Sequence, residues 1–130
     1  MQNKELVALA TNVRNYAYAP YSRFLVGAAL LCKDGSVYCG CNIENASFSA
    51  TCCAERVALF KAVSDGKKSF EAIAIVGAHA DGEMKECYPC GVCRQVLSEF
   101  CDKSFRILMS DGENITEMTL GELLPNSFGL

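Results

Sequence analysis

Between residues 3 and 18 the apolar side chains Leu6, Val7, Leu9, Ala10, Val13, Tyr16 and Ala17 return at the step of a helix with one buried face. That spacing predicts a helix, which Pro20 stops after Ala19. Phe24–Cys32 then reads as a strand and Val37–Cys41 as another, joined across Lys33-Asp34-Gly35-Ser36, where the Asp-Gly pair signals a hairpin turn. Ala54–Ser64 reads as a helix ending near Gly66, and residues 72–78, rich in Ile and Val, as a buried strand. A third helix follows at Gly91–Phe100. Residues 105–110 and Ile115–Thr119 form two more strands, linked at Asp111-Gly112-Glu113-Asn114. So short a link makes them antiparallel, because a parallel pair needs a long crossover. Residues 120–124 give a brief last helix before Pro125. The order predicts a three-layer α/β/α fold, with a mixed five-stranded sheet and helices on both faces, and residues 1–130 read as one domain.

Composition narrows the partners. Hydrophobic residues make up 51% and charged residues 21%, a globular balance. Fifteen acidic against twelve basic residues leave a net charge of -3, which argues against a nucleic-acid binder and favours a small neutral ligand. The densest basic spot, Lys67-Lys68, falls in an expected loop. Nine cysteines are many for 130 residues, and the number is odd. The polar start Met1-Gln2-Asn3-Lys4-Glu5 lacks a secretory pattern, and no apolar run reaches the length of a membrane span. Metal ligation and simple burial therefore explain the cysteines better than a disulfide scaffold, and the reducing cytosol is the expected compartment.

The chemistry concentrates in Cys53-Ala54-Glu55 and Pro89-Cys90-Gly91-Val92-Cys93. Cys53, Cys90 and Cys93 supply three thiolates, enough to hold a tetrahedral zinc and leave its fourth position open, as catalytic sites do. Glu55, two residues beyond the first ligand, is placed to move protons rather than to bind metal. Both ligand groups fall at expected helix N-termini, where free N–H groups and partial positive charge favour thiolates. Three thiolates on Zn²⁺ sum to a charge of about -1. Arg56, next to Glu55, is positioned to offset it by donating to the sulfurs.

Other readings of the cysteines are a redox pair, as in thioredoxin-like proteins, and a closed structural zinc with Cys87 as fourth ligand. The first expects its C-x-x-C after an early strand of a βαβ unit, and here it comes late in the chain. Spacing leaves the second open, although a closed site gives Glu55 no role. Cys32, Cys39, Cys41 and Cys101 suit small buried positions, and Cys52 lacks the one-residue gap to Glu55. His79, the single histidine, ends the third strand as a loop residue rather than a ligand.

Beyond the metal motifs, Tyr18-Ala19-Pro20-Tyr21-Ser22-Arg23-Phe24, Val26-Gly27-Ala28-Ala29-Leu30, Gly40-Cys41-Asn42-Ile43-Glu44-Asn45-Ala46, the run from Pro89 to Gln95 and Leu123-Leu124-Pro125 extend a resemblance over nearly the whole chain. It resembles the small, homotetrameric, zinc-dependent cytidine deaminases, in the branch acting on free nucleosides. The resemblance implies that Asn42 and Glu44 hold the ribose 3′-hydroxyl, a role their donors and acceptors suit. It implies that Phe24 lies against the nucleoside and that backbone groups near Cys53 and Ala54 read the base edge. Asn45 serves equally as a turn residue. Phe128 is the candidate for the aromatic that such proteins place over a neighbouring subunit's base. Phe48 stands where the family often has Tyr, which removes a hydroxyl.

The implied reaction is hydrolysis of cytidine and deoxycytidine to uridine and deoxyuridine, within pyrimidine salvage, with Glu55 as both base and acid. A deaminase of a cytosine-containing antibiotic is an alternative, against which the Asn42 and Glu44 pair argues. A polynucleotide deaminase would call for basic channels and long loops, and a structural-zinc binding module would need Cys87 as a ligand.

Overall fold

The computed structural model describes residues 1–130. Its centre is a five-stranded sheet in the order β2-β1-β3-β4-β5, made of β1 Phe24–Cys32, β2 Val37–Cys41, β3 Phe70–His79, β4 Arg106–Ser110 and β5 Ile115–Thr119. Only β3 and β4 run parallel, and the other pairs are antiparallel. The parallel pair follows from its connection, because helix α3, Gly91–Phe100, lies between the two strands as a crossover.

Alternation along the buried strands sorts side chains between two cores. Ala28, Leu30, Ile73, Ile75, Ile107 and Met109 face one side, where α2 (Ala54–Ser64), α3 and the short α4 (Leu120–Leu123) cover them with Leu59, Leu97 and Leu123. Ala29, Leu31, Ala72, Ala74, Val76 and Leu108 face the other, where α1 (Asn3–Val13) packs Leu6 and Ala10. Larger residues under three helices, and a face half made of alanines under one, let both layers close-pack. Each fully buried leucine contributes about 2 kcal/mol by leaving water. The predicted three-layer architecture and antiparallel last pair are what the structure has.

The sequence-based boundaries of β1, β2, α2, α3 and β5 coincide with the observed ones, and the other elements differ by identifiable causes. α1 stops at Val13, well short of Ala19, and a 3-10 turn, Arg14–Tyr16, follows. Arg14 keeps helical backbone angles in that tighter turn, and its guanidinium binds the carbonyls of Leu25 (2.9 Å) and Ala78 (3.0 Å) near the ends of β1 and β3. Ala17 is then extended, so that Tyr18 can bridge to Ile43. β3 is longer than predicted because Phe70 pairs with Cys32 and His79 with Phe24. Phe105 precedes β4 as a buried core residue, and α4 ends one residue early at Leu123.

Candidate metal centre and active site

Two helix starts meet above the core, where β1 begins and β3 ends. Cys53 is the N-cap of α2, and Cys90 is the N-cap of α3. The Cys90 sulfur takes the place of the usual capping oxygen and accepts the N–H of Cys93 at 3.5 Å. That bond turns Cys93, wholly buried in the first turn of α3, toward the same point. The sulfurs of Cys53, Cys90 and Cys93 all lie within 4.8 Å of one another, with Cys53 and Cys90 3.9 Å apart. Cys87 is outside this group, and all nine cysteines are free thiols.

The sulfur set fits a cation on its own chemistry. The adjacent Cys93 thiol, and after it the Arg56 guanidinium, hold Cys53 down to about 5 in spite of its burial. The same contact, followed by burial, pushes Cys93 upward. Three sulfurs this close cannot all ionise unless a positive charge joins them, and a divalent metal removes the conflict. Arg56 supplies part of the compensation, with Nη2 3.4 Å from the Cys53 sulfur. Its buried Nε has no hydrogen-bond partner, a donor that a further thiolate sulfur would satisfy.

Glu55, in the first turn of α2, is 5% exposed. Burial first, and the nearby Cys53 charge next, raise its carboxyl to about 7. The cavity beside it has a volume of about 330 Å³ and reaches from Cys53, Ala54 and Glu55 to Phe24, Asn42 and Glu44. The structure thus gathers these sequence-predicted residues around one space.

Asn42 is already engaged. Its Oδ1 accepts the Val26 N–H and its Nδ2 donates to the Phe24 carbonyl, both at 2.8 Å, which leaves one amide hydrogen free. Glu44 is held just as firmly, with Oε1 accepting the N–H groups of Tyr21 (2.9 Å) and Ser22 (3.1 Å) and Oε2 the Ser22 hydroxyl. The Ser22 hydroxyl, with those backbone bonds behind it, keeps the carboxyl below the usual glutamate range. Phe24 stands edge-on to His79, with ring centres 5.5 Å apart. Beneath it, a Cβ on Gly77 would come within 3.1 Å of the Phe24 ring and 2.9 Å of the Cys87 sulfur, so both side chains rest on that glycine.

Phe48 and Phe128 lie outside this cavity. Phe48 is exposed and meets the Tyr21 ring edge-on at 6.1 Å. Phe128 is also exposed, and its backbone carbonyl accepts from Gln95 at 3.4 Å. Asn45 acts within its own turn, its side chain accepting the Ser47 N–H at 2.9 Å. Sequence reasoning missed Ser22, Val26, Thr51, Cys87 and Tyr88 as lining residues. Tyr88 had one available signal, its place directly before Pro89-Cys90.

Residues 1–109 match the family described as the cytidine and deoxycytidylate deaminase zinc-binding region. The chain is 50% identical to the cytidine deaminase of Sporosarcina psychrophila, an alignment covering 98% of this chain and 92% of that one. It is also 50% identical to the cytidine deaminase of Halalkalibacterium halodurans, over 98% and 95%. The crystal structure of cytidine deaminase from Burkholderia pseudomallei superposes with a TM-score of 0.89 at 42% identity, covering 98% of this chain and all of that one.

Proposed function

The chain belongs to the cytidine and deoxycytidylate deaminase family, and we propose that it hydrolyses free cytidine and deoxycytidine to uridine and deoxyuridine with release of ammonia. One observation carries this reading: the Glu55 carboxyl is buried, sits near 7, and adjoins both the three sulfurs and a cavity of about 330 Å³. Such a group both accepts and returns a proton at neutral pH.

The metal is zinc, with Cys53, Cys90 and Cys93 as the residues that would hold it and Arg56 as the cation beside them. When bound, zinc supplies a Lewis acid that makes water nucleophilic near neutral pH. Glu55 takes the proton of the attacking water and delivers it to N3 of the base, which makes C4 electrophilic. The water oxygen bonds to C4, and in a second transfer Glu55 moves the remaining proton of that new C4 hydroxyl to the amine, which departs as ammonia while the C4 carbonyl forms. The free Asn42 hydrogen and the Glu44 carboxylate hold the 3′-hydroxyl, which both nucleosides carry. Phe24 lies against the nucleoside, and the backbone near Cys53 and Ala54 reads the base edge.

Residues 1–130 act as one domain in this reading, and the assembly is a homotetramer with shared active sites. Exposed rings at Tyr16, Phe48 and Phe128 support buried interfaces, with Phe128 offered to a neighbouring copy's pocket. No helix is long and apolar enough to cross a membrane. The enzyme is placed in the cytosol, in pyrimidine salvage.

Ultraviolet-monitored turnover of cytidine, with Glu55→Ala in parallel, tests the reading. The wild type converts cytidine, and the variant keeps its zinc while losing activity by about 10³-fold. A zinc-loaded wild type that converts no cytidine, or a near-normal variant, would sink it.

A further inference from the structure

Tyr88 lines the same cavity as Phe24 and Glu55, yet no step above uses it. Tyr88 is 46% exposed, so part of its large apolar surface stays open beside the cavity. Two anchors fix its position. On one side the phenol donates to Glu86 Oε2 at 2.9 Å, while Glu86 Oε1 accepts the Thr116 hydroxyl, so the loop after β3 is tied to β5. On the other side Pro89 is fully buried and its carbonyl accepts from Arg94 Nε at 2.7 Å. The preceding residue, Cys87, rests on Gly77 beside Phe24. Cys87 and Tyr88 therefore continue the wall that Phe24 begins.

We propose that the Tyr88 ring is a substrate-contacting part of the pocket that packs against the pyrimidine, held there by Glu86 and Thr116. The inference rests on the nucleoside reading of the pocket. The phenol's single proton is already given to Glu86, so it has none left to donate to the substrate, and what the ring offers is contact area. Its contribution is the same for cytidine and deoxycytidine, and it appears in binding rather than in the chemical step.

Steady-state kinetics of Tyr88→Ser and Tyr88→Phe on both nucleosides test this, with zinc content and subunit assembly measured in each protein. For Tyr88→Ser, KM rises about tenfold on both substrates while kcat stays within about twofold, as loss of one aromatic–base contact requires. Tyr88→Phe keeps the ring and stays within about threefold of the wild-type KM. An unchanged KM in Tyr88→Ser overturns the inference, as does a fall in kcat alone. A rise confined to cytidine overturns it too, because that would mean a bond to the 2′-hydroxyl. Loss of zinc or altered assembly in Tyr88→Ser assigns the ring to structure and likewise overturns it. A wild type that converts neither nucleoside removes the underlying reading and this inference together, whereas wild-type turnover with an unmoved KM in Tyr88→Ser removes this inference alone.

Discussion

Gly40 on β2 lies so close to Ala54 at the start of α2 that a methyl group on Gly40 would sit 2.7 Å from the Ala54 carbonyl oxygen. The same methyl would be 2.5 Å from the Ala58 nitrogen, and both contacts are with backbone that cannot swing aside. Gly40→Ala therefore pushes the first turns of α2 off the sheet. Cys53 caps that end and Glu55 belongs to its first turn, so the movement reaches the metal ligands as well as the core. The expected result is a loss of about 1–3 kcal/mol of stability, the usual range for overpacking. Zinc retention and turnover should fall with it. Urea denaturation and metal analysis check this, and a Gly40→Ala protein with full stability and full zinc would contradict the packing.

Cys87 separates an open metal site from a closed one. Burial, and then the charges of Glu55 and Cys53, push its thiol up to about 12, so it stays neutral, and its sulfur is outside the cluster. Cys87→Ser should retain one zinc per chain, whereas Cys90→Ser should lose it. Stripping the metal with a chelator should lower the Tm of the wild type and of Cys87→Ser alike, because binding energy in a site of this kind is also folding energy. Loss of zinc from Cys87→Ser would restore the structural-zinc reading.

Most of the site was legible because local chemistry and local structure agree there. The two cysteine motifs place ligands at helix starts, and Cys53 and Cys90 are indeed the caps of α2 and α3. β1 and β2 were equally readable from their apolar runs and the Asp-Gly turn, where Gly35 has a φ of 92° that glycine tolerates. The misread parts depend on partners distant in sequence. The helical path gives way to a 3-10 turn at Arg14 and ends at Ala17, beside the bridge from Tyr18 to Ile43, against the continuing helical pattern. The links from Glu44 to Ser22 and from Glu86 to Thr116 join segments that no periodicity connects. Asn42 lies at the cavity as the sequence implies, and half of its side-chain bonding capacity also goes to the β1 backbone, a duty that only the register of β1 and β2 reveals.

Arg94 shows how the second ligand segment is held. Its Nε donates to the Pro89 carbonyl and its Nη1 to the Leu123 carbonyl, both at 2.7 Å, so one guanidinium joins the loop before Cys90 to the end of α4. Arg94→Ala leaves two carbonyls without their charged donor and should lower stability by about 2–4 kcal/mol. Arg94→Lys reaches one carbonyl at a time and should fall between the two. Chemical denaturation of the three proteins checks the order, and equal midpoints for wild type and Arg94→Ala would show that the bridge carries nothing.

Ser22 and Glu44 give the pH prediction. The Ser22 hydroxyl and the N–H groups of Tyr21 and Ser22 all donate to the Glu44 carboxylate, favour its charged form and lower its pKa in the folded protein. A depressed folded-state pKa sets the sign. The stabilisation from these bonds is fully present above the ordinary glutamate pKa and is lost as pH falls through the lowered one. The side-chain carboxyl carbon-13 resonance of Glu44 should therefore titrate below the ordinary glutamate range. In Ser22→Ala the largest cause of the shift is removed, and the midpoint should move upward. If Glu44 is already ionised when a nucleoside arrives, the same substitution should leave KM for cytidine flat with pH around neutrality and raise it by a constant factor. A Glu44 midpoint unmoved by Ser22→Ala would show that the backbone N–H groups alone set its charge.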